Sequence, residues 1–99
     1  MKRRNGGLSK VPNIVSLLKK IAKERGIKYE ELPSGVVILI NNHNQAFLQI
    51  TVVKDAYYVR YLLKDSAYLV RRLNRRILED IIQGTLREDG KIVFRISVQ

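Results

Sequence analysis

The spacing of apolar and polar residues changes several times along the chain. Between Val11 and Ala22 apolar residues recur at intervals of three and four, which is the spacing of a helix buried on one side. Pro12 suits the first turn of such a helix and Gly26 suits its C-terminal cap, so we predict a helix over residues 12–25. Lysines and an arginine crowd its last turns, where they complement the helix dipole.

After the turn-rich stretch YEELPSG, the pattern becomes typical of strands. The segments VVILI, AFLQITVV and AYYVRYLL are short apolar or alternating runs separated by polar turns, and they predict a three-stranded meander. The last segment, KIVFRISVQ, also alternates. We expect it to be a strand with Ile92, Phe94, Ile96 and Val98 turned inward and with Val93, Arg95 and Ser97 turned outward.

The segment LVRRLNRRILEDII, residues 69–82, lies between the third and the last predicted strand. We predict that it belongs to a second helix, capped by Asp65 or Ser66 and ending near Gln83, before Gly84. On a helical wheel one side of this helix is an apolar stripe, formed by Val70, Leu73, Ile77 and Ile81. A second apolar strip, Leu78 and Ile82, would favour contact with the first helix or with another subunit.

The element order α-β-β-β-α-β predicts a two-layer α+β fold. We expect a mostly antiparallel four-stranded sheet with two helices on one face. Residues 1–10 read as a flexible basic tail and residues 11–99 as a single α+β domain.

The chain is strongly basic, with 19 Lys and Arg against nine Asp and Glu and a formal net charge of +10. The tail MKRRNGGLSK supplies four of these cationic side chains, so the remaining residues are basic in their own right. Such a charge attracts polyanions, and nucleic acid is the common polyanion inside a cell. A basic surface that serves solubility alone is the alternative.

The second predicted helix places four arginines on the side opposite its apolar stripe, namely Arg71, Arg72, Arg75 and Arg76. Glu79 and Asp80 stand at the right spacing to pair with Arg75 and Arg76, whereas Arg71 and Arg72 lack such a partner. Tyr68 falls within the same arc and could stack on or hydrogen-bond to a sugar-phosphate backbone. The predicted nucleic-acid site is therefore this arginine face with Tyr68, helped by Lys2, Arg3 and Arg4 of the tail. A solvated face or a protein interface is the competing interpretation.

The sheet face away from the helices is a second candidate surface. The alternation assigns to it Phe47, Gln49, Thr51, Tyr58, Arg60, Arg95 and Ser97. Aromatic and arginine side chains on an open sheet can stack bases. The same face would also carry Val53, Leu62 and Val93, which together with Phe47 at least equally favour a homodimer, formed through this face or through Leu78 and Ile82.

Enzymatic chemistry has little support in the sequence. There is no Cys, and His43 is the single histidine, so neither a thiolate nucleophile nor a Cys- or His-based metal cluster can form within one chain. The doublet Glu88-Asp89 would serve a metal-dependent nuclease only if further carboxylates converged on it. We therefore expect no catalytic residues, no metal, no cofactor and no small-molecule substrate.

The sequence also bears on location. Its longest apolar run, VVILI, is far shorter than the roughly 20 residues that span a bilayer. No apolar segment follows the basic N-terminal residues, so we expect neither a transmembrane segment nor a signal peptide, and an intracellular protein. Abundant Ile, Val and Arg without Cys or Trp are typical of thermostable proteins, although the stretch NNHNQ is not.

Two resemblances extend these expectations. The order helix, three strands, helix over residues 12–83, with His43 and Phe47 in HNQAF, resembles the double-stranded-RNA-binding domain as a topological analogy. The chain departs from that family in KDSAYLVRR, which lacks its glycine-rich and lysine-rich helix start. The chain resembles small basic proteins of filamentous archaeal viruses of the lipothrixvirus and rudivirus type. The resemblance lies in its size, its charge and the Ile-, Arg- and Tyr-rich composition of AYYVRYLLKDSAYLVRRLNRRI. That resemblance implies a viral protein in a host cytoplasm, near a DNA genome.

The function predicted from the sequence is nucleic-acid binding, largely through phosphate contacts. The alternative is a structural or protein–protein interaction module, a homodimer without a role on nucleic acid.

Overall fold

A computed structural model describes residues 10–97, with side chains from residue 15 onward. The elements along the chain are α1 (Lys10–Glu24), β1 (Lys28–Glu31), β2 (Val36–Ile40), β3 (Ala46–Val53), β4 (Ala56–Tyr61), β5 (Ser66–Val70), α2 (Arg75–Gln83) and β6 (Val93–Ile96). The fold is α+β, as the sequence predicted. Residues 1–9 of the predicted basic tail, with Lys2, Arg3 and Arg4, lie outside the described residues, and Lys10 begins α1.

The sheet has six strands in the order β1-β2-β3-β4-β5-β6, with every neighbouring pair antiparallel. The three predicted meander strands are present as β2, β3 and β4. The prediction of four strands is wrong because two further segments pair with them. One is β1, which begins at Lys28 and overlaps the stretch YEELPSG that was expected to be a turn, and its Tyr29 stands opposite Leu39. An edge strand tolerates the charged residues of KYEE because only one of its sides is paired.

The other additional strand is β5, which occupies the first part of the predicted second helix. Its five residues pair with β4 on one side, and four of them, Ala67 to Val70, pair with β6 on the other, so these four have strand partners on both sides. The second helix therefore begins later, at Arg75, and its cap is Asn74 rather than Asp65 or Ser66. The side-chain oxygen of Asn74 accepts a hydrogen bond from the backbone N–H of Ile77 at 2.8 Å. Gly84 ends the helix as predicted, with a φ of 78°.

Five strands thus separate the two helices, and the predicted order α-β-β-β-α-β is wrong. The order helix, three strands, helix that resembles the double-stranded-RNA-binding domain is absent from residues 10–97. Periodicity alone cannot distinguish a five-residue apolar strand from one and a half turns of helix, and only pairing with distant strands decides it.

Both helices pack on one face of the sheet, which we call the helix face. The core contains Leu18 and Ile21 from α1, Leu78, Ile81 and Ile82 from α2, and Leu39, Leu48, Val59 and Val70 from the sheet. Leu78 and Ile82, the predicted second apolar strip, lie in the same core cluster as Leu18 of α1, which fits the first helix rather than another subunit as their neighbour. Leu73 and Ile77 of the predicted stripe are only half-buried against this core.

Two predicted orientations in the sheet are wrong. Phe47 packs against the core instead of lying on the opposite face, because the pairing of β2 with β3 shifts there by one residue. Within β6, Val93 is buried opposite Val70, so the inward and outward positions expected for residues 93–96 are exchanged. Ile92, just before β6, packs against the core as expected, and Val98 lies outside the described residues. Arg95 consequently stands opposite Tyr68, on the helix face. A shift of one residue in the register of a strand reverses all its side chains, and pairing with β5 sets that register here.

Candidate nucleic-acid interface

The most concentrated group of lysines in residues 15–97 lines an open groove between α1 and β1. The groove has a volume of about 680 Å³. Its walls are Ser16, Lys19, Lys20, Lys23, Ile27, Lys28 and Tyr29. We call it the lysine groove.

The local fold explains why these lysines converge. Helix α1 buries Leu18, Ile21 and Ala22 against the sheet, so Lys19, Lys20 and Lys23 are left on its outer sides. Gly26 has a φ of +68°, a left-handed conformation in which glycine is favoured. The backbone N–H of Ile27 donates to the carbonyl of Ala22 at 2.8 Å and turns the chain into β1. Lys28 therefore reaches the groove from the edge strand.

The charges in the groove are only partly balanced. Lys19 Nζ lies 3.2 Å from Glu31 Oε1 and 5.5 Å from the centre of the Tyr29 ring. Lys20, Lys23 and Lys28 form no ion pair with a carboxylate of residues 15–97. An ammonium group that has no carboxylate partner is free to neutralise a phosphate, and each such contact adds to the salt dependence of binding. The groove therefore has the chemistry of a polyanion site, with the partly exposed ring of Tyr29 beside it.

The predicted arginine face is divided among different elements. Arg71 and Arg72 are exposed in the segment between β5 and α2, whereas Arg75 and Arg76 form the first turn of α2. Tyr68 lies on β5, half-buried against the core, with its ring edge-on to that of Tyr61 at a centroid distance of 6.0 Å. The four arginines do not share one helix face, and Tyr68 is not placed among them.

Arg75 is engaged with two carboxylates. Its guanidinium lies 2.9 Å from Glu24 Oε1 and 3.1 Å from Glu79 Oε2. The pair with Glu79 is the one that the helical spacing predicted, and the pair with Glu24 depends on the contact between α1 and α2. Hydrogen bonds to Glu24 and Glu79 raise the pKa of Arg75 above its usual value. Its charge is therefore the least available of the four for phosphate.

Arg76 lines a second groove, of about 610 Å³, together with Arg87, Asp80 and Asp89. The pair between Arg76 and Asp80 that the sequence suggested does not form. Asp80 Oδ1 accepts a hydrogen bond from the hydroxyl of Thr85 at 3.1 Å instead. This groove carries both signs of charge, so it is a weaker candidate for a polyanion than the lysine groove.

The carboxylates of Glu88 and Asp89, in the segment before β6, accept hydrogen bonds from backbone N–H groups. Asp89 Oδ1 accepts the N–H groups of Lys91, Ile92 and Val93 at 2.8, 2.8 and 2.9 Å, and these bonds lower the pKa of Asp89 to about 2. Glu88 Oε2 accepts the N–H of Arg95 at 3.2 Å. In the described part of the chain no three His, Cys, Asp or Glu residues converge as metal ligands would.

Sequence reasoning missed the lysine groove because it read β1 as a turn. The lysines of α1 were explained by the helix dipole, and Lys28 had no assigned position. The available signal was the alternation of apolar and polar residues in IKYE, directly after Gly26. Lys28 and Tyr29 in a strand next to α1 would have indicated the groove.

We compared the chain with known proteins, and no family model, no curated protein and no solved structure matches it. Within residues 10–97, neither helix has the length and apolar character that crossing a membrane requires.

Proposed function

We propose that the protein binds nucleic acid through phosphate contacts, with the lysine groove as the main site. The observation that supports this is the convergence of Lys19, Lys20, Lys23 and Lys28 in one open groove, where only Lys19 has a carboxylate partner among residues 15–97. The net charge of +10 supplies the long-range attraction for the same ligand.

The arginines predicted from the sequence have a secondary part in this proposal. Arg71 and Arg72 are exposed and form no ion pair within residues 15–97, so they are available for further phosphate contacts. Arg76 can do so from the second groove. Binding through phosphates reads no base edges, and little sequence preference is expected.

The experiment is fluorescence polarisation with labelled duplex DNA, single-stranded DNA and RNA over a series of salt concentrations. The test variant is Lys20→Gln/Lys23→Gln, which removes two charges from the groove and leaves the buried side of α1 intact. If each lysine neutralises one phosphate, the slope of log K against log salt on duplex DNA becomes shallower by about 1.8, at about 0.9 per contact.

The matched control is Lys54→Gln/Lys64→Gln, which removes the same charge from two exposed lysines outside the groove. This control should keep the salt slope of the unchanged protein. The proposal fails if the unchanged protein binds no nucleic acid at low salt. It also fails if the two double variants lose affinity equally, since that would show a response to net charge alone.

A further inference from the structure

The sheet face opposite the helices, which we call the open sheet face, is covered by no other part of residues 10–97. Strand register places two complete rows of side chains on it. The first row crosses all six strands through Glu30, Ile38, Gln49, Arg60, Ala67 and Ile96. The second crosses β2 to β6 through Val36, Thr51, Tyr58, Leu69 and Phe94.

The open sheet face is more apolar than the solvent-exposed face of an antiparallel sheet usually is. Seven of the eleven residues in the two rows are hydrophobic, whereas the solvated face of an antiparallel sheet is normally dominated by polar side chains. Ala67 is fully buried by its neighbours, and Leu69 and Phe94 are half-buried. An apolar sheet face of this extent is typical of a contact with another protein layer.

The distribution of charge indicates which kind of partner covers the open sheet face. The two rows contain one carboxylate and one guanidinium, Glu30 and Arg60, so the face is nearly neutral in a chain of net charge +10. Polyanions and acidic partners are drawn instead to the lysine groove, which lies beside α1. Two copies of such a basic chain can approach closely only through a surface without net charge, because like charges oppose association elsewhere.

We propose that a second copy of this chain covers the open sheet face, sheet against sheet, about a two-fold axis parallel to the strands. Six strands at about 4.8 Å and five residues at about 3.4 Å give a face of roughly 500 Å² in projection. The accessible surface of packed side chains exceeds its projection, so this approaches the about 800 Å² per partner of a standard interface. The alternative function predicted from the sequence, a homodimeric interaction module, corresponds to this surface.

The polar groups at the centre of the face fit this symmetry. β3 and β4 are the central strands, so an axis between them brings Arg60 of one copy over Gln49 of the other. Gln49 Nε2 donates to Thr51 Oγ1 at 3.2 Å, which leaves Gln49 Oε1 to accept from the guanidinium. Arg60 forms no ion pair within residues 15–97. Each copy therefore supplies both the donor and the acceptor for the buried centre.

The first test measures molar mass by light scattering over a wide range of protein concentration. The unchanged protein should have the mass of a dimer, and Leu69→Glu should have that of a monomer. The matched control is Leu63→Glu, since Leu63 lies in the turn after β4, is 58% exposed and is absent from the two rows. Circular dichroism checks folding, and Tyr58→Lys serves as the second variant if Leu69→Glu does not fold.

The second test uses the absence of cysteine in the chain, so that an introduced cysteine is the only thiol. Thr51→Cys lies on a central strand next to the axis and should be linked between copies by a short bismaleimide. Glu30→Cys lies in the first row but on the edge strand β1, more than two strand spacings from the axis, and should not be linked.

A monomer at every concentration would overturn the proposal, as would a dimer unaffected by both Leu69→Glu and Tyr58→Lys. Linking through Glu30→Cys without linking through Thr51→Cys would also contradict it. If the monomeric protein bound nucleic acid and Leu69→Glu abolished that binding, the open sheet face would be a nucleic-acid-binding surface and not a dimer interface. These outcomes do not depend on the lysine groove.

Discussion

Arg75 and Glu24 join the two helices by an ion pair of 2.9 Å between Nη2 and Oε1. The same guanidinium contacts Glu79 one turn further along α2 at 3.1 Å. Arg75, which the sequence placed in a nucleic-acid site, therefore holds the start of α2 against the end of α1.

We predict that Arg75→Ala lowers the free energy of unfolding only slightly, since both of its ion pairs are partly exposed and surface ion pairs contribute little. It should change affinity for DNA less than Lys20→Gln/Lys23→Gln does. The control is Arg72→Ala, an exposed arginine without an ion pair within residues 15–97, which should leave stability within about 0.5 kcal/mol. Urea unfolding measures both. A larger loss for Arg72→Ala would contradict the assigned roles.

The cap of α2 makes a second prediction. Asn74→Ala removes the side-chain oxygen that accepts from Ile77 N–H, and the loss should be about 1 kcal/mol. In a domain of this size that corresponds to a fall of roughly 4 to 8 °C in Tm. Asn42→Ala, in the exposed turn between β2 and β3, is the matched control and should leave Tm unchanged. Equal falls in Tm would argue against Asn74 as the cap.

Asp89 should make stability depend on acid pH. Three backbone N–H groups favour its charged form, so its pKa in the folded protein is about 2, against 3.8 in the absence of such bonds. A lowered pKa means that this stabilisation is complete above about pH 4 and is lost as the pH falls towards about 2. Asp89→Asn should be less stable at neutral pH, and its stability should fall less between pH 4 and pH 2. Thermal unfolding across that range measures the difference. The control is Asp55→Asn, whose stability should fall between pH 4 and pH 2 by as much as that of the unchanged protein.

Tyr61 gives a prediction at alkaline pH. Its hydroxyl donates to the carbonyl of Ile81 at 2.7 Å, and burial raises the pKa of Tyr61 above its usual value near 10. Because the raised pKa belongs to the folded state, the stabilisation is present below about pH 10 and is lost at higher pH.

Tyr61→Phe should therefore lower stability by about 0.5 to 1.5 kcal/mol at neutral pH, which is the range for one hydrogen bond between uncharged groups. The carbonyl of Ile81 also accepts from Gly84 N–H at 3.2 Å, so the loss should lie towards the lower end of that range. The stability of the variant should also decline less steeply above about pH 10 than that of the unchanged protein. A decline of identical slope in both proteins would show that Tyr61 is not responsible.

The sequence by itself determined the parts of the fold that depend on near neighbours. The helical spacing before Gly26, the alternation in AFLQITVV and the glycine that ends α2 are each local, and each element is present in the structure. The pair between Arg75 and Glu79 was likewise predictable, because residues four apart in a helix are neighbours.

Tertiary structure decided what depends on distant strands. The residues SAYLV fit both a helix and a strand, and they form β5 because β4 and β6 supply hydrogen-bond partners on both sides. That choice separated Tyr68 and the exposed Arg71 and Arg72 from α2. The pairing of β1 with β2 brought Lys28 beside the lysines of α1. The basic composition was therefore evident from the sequence, but which cationic side chains share a surface was set by strand pairing.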